Sequence, residues 1–212
     1  MAFCAQQRAR RAQRRRLGDA ATIALRNFAT PGFLPSFMSS TSVFPVRPAV
    51  LRDARAIAEL HNATVQDAYR GLLGDVTVPV MALDKRQAYW RDAIEYAEPQ
   101  VHVALLGERI VGFVGFDRSR DEGTKQTMGE IWSIYVDADF VGLGVGLSLW
   151  DAAREGLVEE GCTDVSIWLP LANERAMQFF TNAGFKREMP SAKTVSIGGV
   201  KIEEIRLKRS LA

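Results

Sequence analysis

The chain has 212 residues, 47% hydrophobic and 25% charged, with a formal net charge of +2, a composition that suits one globular domain with its own core. Cys4 and Cys162 are too few and too far apart for a disulfide framework or a thiolate metal site, so no metal is expected and a reducing, cytoplasmic setting fits. No apolar run approaches the roughly 20 residues that cross a bilayer, so no membrane partner is expected.

The modest net charge hides a split. Residues 1–45 carry seven arginines (Arg8, Arg10, Arg11, Arg14, Arg15, Arg16 and Arg26) against Asp19 alone, whereas the remainder is mildly acidic. With its prolines, glycine and serines, this leader is expected to be disordered. A solvated tail, an arginine-rich transit peptide and a nucleic-acid arm are the competing readings, and a start at Met38 would remove most of it. No nucleic-acid partner is expected except through this segment.

From Val43 the pattern is regular. Val43 to Ala49 reads as a strand, and a helix follows from about Arg52 to Ala68 with Ile57, Leu60 and Thr64 on one side, ended by GLLGDVTVP. Leu83, Trp90, Ile94 and Ala97 mark a second helix. VHVAL and RIVGFVGFD, separated by Leu106, Gly107 and Glu108, read as a β-hairpin. The polar loop RSRDEGTKQT leads to the strand GEIWSIYV. VGLGVG then opens a helix with the stripe Leu147, Trp150, Ala153 and Leu157. DVSIWLP is a strand, NERAMQFFTNAG a helix, and KTVSIGGVKIEEIRL two strands across Gly198-Gly199. The expected fold class is α/β, a central mixed sheet flanked by about four helices.

The VGLGVG stretch lies between a strand and a helix, where closely spaced glycines let backbone N–H groups converge on an anion at the helix N-terminus. It is not a dinucleotide fingerprint, because the spacing is G-x-G-x-G and the next strand ends in Trp168, Leu169 and Pro170 without an acid. It is not a nucleotide P-loop either, because no lysine follows. A turn that merely needs positive φ would use the same glycines.

Together with the later segment, however, the chain resembles the GNAT superfamily of acyl-CoA-dependent N-acetyltransferases over residues 46–212. The pattern Q/R-x-x-G-x-G/A falls on Val141 to Gly146, and N-x-x-A-x-x-F-[YF]-x-x-x-G-F on Asn173, Ala176, Phe179, Phe180, Gly184 and Phe185. The resemblance implies acetyl-CoA as cosubstrate, with its pantetheine arm along the backbone of Ile134, Tyr135 and Val136 beside a strand bulge. It places the pyrophosphate on the N–H groups of Gly142, Leu143, Gly144, Val145, Gly146 and Leu147, with Val141 leading in, and Asn173 and Phe180 against the cofactor. Asn173 also suits plain helix capping.

The implied reaction joins the acetyl group to a primary amine of a small molecule, peptide or protein terminus. Glu130, at the head of GEIWSIYV, is the expected base, with Trp132 on its face by alternation. An unperturbed carboxylate is a weak base for an ammonium, so burial or a water relay is expected to assist. Tyr69 and Arg70 fall where the family's acceptor loop lies, and His61 and His102 read as packing residues. Two departures stand out. Phe180 replaces a tyrosine able to protonate the leaving thiolate, leaving water or a residue such as Tyr135 to do so. Val141 and Leu143 replace residues that are often polar or basic, leaving the pyrophosphate to backbone N–H groups and the helix dipole. A CoA-binding module without catalysis is the alternative reading, and a homodimer is compatible with the sequence.

Overall fold

The computed structural model describes residues 44–70, 80–197 and 200–211, of which 66–70 and 197 by backbone only. Most of the arginine-rich leader, the segment from Gly71 to Pro79 and the Gly198-Gly199 turn lie outside the described residues.

In chain order the elements are β1 (Val46–Pro48), α1 (Ala54–Arg70), α2 (Leu83–Tyr96), β2 (Gln100–Leu106), β3 (Arg109–Arg118), β4 (Met128–Val136), α3 (Val145–Glu159), β5 (Asp164–Pro170), α4 (Glu174–Asn182), β6 (Lys186–Arg187), β7 (Lys193–Ile197) and β8 (Val200–Ser210). The strands form one sheet in the order β1-β2-β3-β4-β5-β8-β6, with β7 on β8. Among the described residues every pairing is antiparallel except β4 with β5. The helices divide between the two faces. Ile57 and Ala58 of α1 and Trp90 and Ala93 of α2 join Val101, Val103 and Phe113 in one cluster. Leu149, Trp150, Ala153 and Leu157 of α3 join Met177 and Phe180 of α4, with Ile131, Val165, Ile167, Ile205 and Leu207 of the sheet, in the other.

The buried positions show why these segments fold so. Among the described side chains of α1 they are Ala54, Ile57, Ala58, His61, Thr64 and Val65, a single helical face. Before it, the Asp53 carboxylate accepts hydrogen bonds from the Val50 N–H (2.8 Å) and from Arg47 (2.6 Å), tying β1 to the helix start. The hairpin turn is the two residues Gly107 and Glu108, since Leu106 pairs with Arg109. The first strand is shorter than the pattern predicts, because Phe44 is buried but lies outside the paired region. β6, two exposed residues, carries no periodic signal and was not expected. Leu147 is the third correction. At 54% exposure it is not part of the α3 core stripe, which is Val145, Leu149, Trp150, Ala153 and Leu157.

Candidate active site

The site begins with a geometric conflict between two neighbouring strands. β4 and β5 are paired only from Met128↔Asp164 to Glu130↔Ser166, and beyond that point they part. On its other side β4 bulges. Ile131 pairs with Phe116 and Ser133 with Gly115, which leaves Trp132 as the extra residue. A bulge bends and twists its strand, so the same three residues that break the β3 ladder steer β4 away from β5. The expected bulge and divergence are therefore both present. The opening continues as a cleft of ≈ 420 Å³. It is walled by Ile134, Tyr135 and Val136 of β4, by the loop from Ala138 to Leu147, by the first turns of α4, and by Thr64 of α1.

The glycine loop forms one end. Gly142 has φ 81° and Gly144 φ 99°, values that L side chains rarely adopt, and Gly144 is the N-cap of α3. In the first turn of α3 the N–H groups of Val145, Gly146 and Leu147 have no acceptor further up the helix, which leaves three donors and the positive end of a 15-residue helix aimed outward. Val141, Gly142, Gly144, Gly146 and Leu147 line the cleft, whereas Leu143 and Val145 do not. The Leu143 N–H is in addition committed to the Phe140 carbonyl at 3.3 Å, so it is the poorest donor of the expected set.

The helix α4 supplies the facing wall. The Asn173 side-chain oxygen accepts from the Ala176 N–H at 3.1 Å, so the capping role is real, and the side-chain NH₂ remains for a ligand in the cleft. Phe180 is 1% exposed and lines the cleft with Phe179 and Ala176. Arg175 lines it too, and makes no ion pair or hydrogen bond among the described residues. The sequence reading missed it. An arginine in the first turn of an exposed helix reads as a solvated face, and only its place two residues after Asn173 marked it out. It brings a positive charge to the cleft lining, where Val141 offers none.

Glu130 sits at the point where the strands part and is 1% exposed, so it is not a solvated strand-start residue. Arg120 holds it. The backbone N–H of Arg120 donates to Oε2 at 2.9 Å, and the guanidinium donates to Oε1 through Nε at 3.1 Å and through Nη2. The guanidinium also lies over the Trp132 ring, 4.2 Å from its centroid, and the Trp132 N–H donates to the Arg118 carbonyl at 3.3 Å. Thus the polar loop between β3 and β4 folds back onto the expected base and its neighbour. Oε2 accepts only one of these bonds and keeps a lone pair. Neither Glu130 nor Trp132 is among the cleft-lining residues; both stand beyond its inner end.

On the α1 side, His61 is 8% exposed and its Nδ1 accepts from the Trp90 N–H at 3.2 Å. Its ring stacks on Tyr135 at 4.5 Å. Burial, with a smaller contribution from the Arg86 charge, lowers its pKa to about 3, so it is neutral near pH 7. His102 is likewise lowered by burial, and it packs edge-on against Phe116. Both histidines are therefore packing residues. Tyr69 and Arg70 fall in the last turn of α1, where only the backbone is described. Among the described residues no group of three or more His, Cys, Asp or Glu side chains gathers as a metal site.

The comparisons with known proteins agree with this geometry. The sequence profile described as the acetyltransferase (GNAT) family matches residues 54–185. An uncharacterized N-acetyltransferase of Methanocaldococcus jannaschii is 30% identical over 101 residues, 47% of this chain and 45% of that protein. A mycothiol acetyltransferase of Kocuria rhizophila is 29% identical over 101 residues, 46% of this chain and 33% of its own. The chain thus spans less than half the length of either relative. Among solved structures, an N-acetyltransferase from Staphylococcus aureus Mu50 has a TM-score of 0.64 at 21% identity, covering 80% of this chain and 99% of its own. An N-acetyltransferase from Thermoplasma acidophilum in complex with coenzyme A has a TM-score of 0.55 at 12% identity, covering 79% and 98%.

Proposed function

Because the chain belongs to the acetyltransferase (GNAT) family, we propose that it transfers the acetyl group of acetyl-CoA to a primary amine by direct attack. The observation that carries this reading is the cleft between parted strands, with a helix N-terminus and a free arginine at one end and a buried carboxylate beyond the other. The first-turn amides of α3 and Arg175 would hold the pyrophosphate. The pantetheine arm would run along Ile134 to Val136 like an added strand, drawing on backbone groups that β5 leaves unpaired there. The thioester then reaches the inner end, near the bulge.

An amine on the Glu130 side of the opening attacks the thioester carbonyl. Its ammonium must first lose a proton, and the unused lone pair of Glu130 Oε2 is the acceptor, directly or through one water. Holding the two reactants in line is the larger contribution of such a site, since proximity alone removes several kcal/mol from the barrier. A backbone N–H near Val136 would stabilise the carbonyl oxygen as it gains charge. The acceptor is a small-molecule or peptide amine. The test is amine-dependent release of free thiol from acetyl-CoA across a panel of amines.

A second reading has its own observations. Phe180 cannot donate a proton, and Arg120 already engages both oxygens of Glu130, features that suit a CoA-binding module without catalysis. Tight CoA binding with no turnover on the whole panel would favour it.

A further inference from the structure

β4 and β5 part after Glu130 and Ser166, and the loop between β3 and β4 reaches both strands with two consecutive residues. Arg120 takes the β4 side, where its N–H and guanidinium hold the Glu130 carboxylate. Asp121 takes the β5 side. Its carboxylate accepts from the Trp168 indole N–H, at 3.2 Å to Oδ1 and 3.1 Å to Oδ2. Trp168 stands two positions after Ser166, so alternation puts it on the face of β5 that carries the partner of Glu130. Oδ2 also accepts from Arg206 of β8 at 2.7 Å, and Arg206 donates in turn to Glu188 at 2.5 Å. The Arg206 and Asp121 side chains are only 23% and 24% exposed, so solvent screens them less than a surface ion pair. Within the loop, the Asp121 N–H donates to the Ser119 hydroxyl at 3.2 Å and its carbonyl accepts from the Thr124 hydroxyl at 2.8 Å.

We infer that Asp121 is a positioning residue for the proposed base, fixing the loop from which Arg120 holds Glu130. The assignment rests on the acetyl-transfer reading above. Of the bonds that Arg120 makes, those of its guanidinium come from a long side chain that is 53% exposed, and an ion pair of that kind is weak by itself. The bond from its backbone N–H to Oε2, at 2.9 Å, is of another kind, because a backbone donor stands only where the loop puts it. Asp121 is the next residue in the chain, and its ties to β5 and β8 set the place of that donor against the sheet. With Oε2 held by the N–H, its remaining lone pair keeps one direction instead of turning with a free carboxylate. A base displaced from the line of proton transfer loses much of its effect, so the anchor on Asp121 bears on the rate. Asp121 is not among the cleft-lining residues and acts through Arg120.

A double-mutant cycle on kcat tests this in the full chain with the best amine of the panel. Asp121→Ala is expected to lower kcat about tenfold with KM for acetyl-CoA unchanged, since a misplacement of about 1 Å can cost up to about 100-fold. In a Glu130→Gln background the same substitution is expected to change kcat by less than about twofold, because the group it positions is already gone. Asp121→Asn still accepts from the indole N–H but gives up the charge paired with Arg206, and should recover part of the loss. Trp168→Phe removes the indole N–H and keeps a ring. It should lower kcat about threefold, the worth of one neutral hydrogen bond, and again only while Glu130 is present. If Asp121→Ala does not fold, as thermal unfolding would show, the Trp168→Phe cycle decides by the same criterion. Equal losses with and without Glu130, or a KM for acetyl-CoA that rises as kcat falls, overturn the assignment while leaving acetyl transfer intact. An unchanged rate in Glu130→Gln alone removes the base and the role of Asp121 with it. Absence of turnover by the native protein with every amine overturns acetyl transfer as well.

Discussion

In the proposed reaction Glu130 serves the chemistry and Arg175 the binding, and single substitutions should separate the two. Glu130 is buried at the mouth of the split, held by Arg120 and missing from the cleft lining. If it receives the amine's proton, Glu130→Gln lowers kcat on the order of 100-fold with CoA affinity nearly unchanged, as steady-state rates and CoA titration would show. An unchanged rate removes it from the mechanism. Arg175 is the converse case. Charge-assisted hydrogen bonds contribute about 1.5–3 kcal/mol, so Arg175→Ala should raise KM for acetyl-CoA about tenfold or more with kcat maintained. Arg175→Lys, which keeps the charge but not the fork, should fall between. Equal KM values in all three proteins would show that the arginine only faces solvent.

At the scale of elements, the loop into α3 works through its backbone. A Cβ built on Gly144 meets nothing within 4 Å, yet its φ of 99° strains any other residue. Gly144→Val therefore acts on loop conformation rather than by collision. It should cost about 1–2 kcal/mol of backbone strain and weaken CoA binding at least tenfold while the fold survives. Calorimetric titration and thermal unfolding of the same sample check both halves, and wild-type affinity would count against the cradle. This element was legible in advance because its glycines and helix have fixed local requirements. So were the hairpin and the paired motifs. The misread residues share a cause. Leu147 fits the 3.6-residue stripe, but the cleft takes it away from the core, and no periodicity reports a cleft. Arg175 and the Arg120 latch on Glu130 depend on segments that meet only in the folded chain. β6 is held by its pairing with β8 and by nothing local. A bulge in β4 was expected from the family resemblance, but not its place at Trp132, since alternation alone runs straight through it.

At the scale of the whole molecule, the two faces of the sheet differ in what they keep from water. The α1–α2 face buries His61, whose folded pKa of about 3 lies below the ordinary 6.5. Between those values the unfolded chain binds a proton that the folded chain refuses, so stability rises with pH across that window. The protein should therefore lose stability progressively from about pH 6.5 downward, with a limiting slope of about 1.4 kcal/mol per pH unit from this group. His61→Phe, which keeps a ring in the clamp, should flatten that slope in denaturant titrations at stepped pH. An equally steep fall in the variant would place the acid sensitivity elsewhere, for instance at His102, whose pKa burial also lowers.

The fold on its own does not choose between a CoA-dependent catalyst and a CoA-binding module, since the same parted strands serve both. The measurement that separates them is the release of free thiol from acetyl-CoA by the native protein, followed with and without amine while CoA binding is titrated in parallel. The account predicts thiol release that needs the amine and saturates in both substrates. Saturable CoA binding with thiol release no faster than in buffer, whatever the amine, would contradict it.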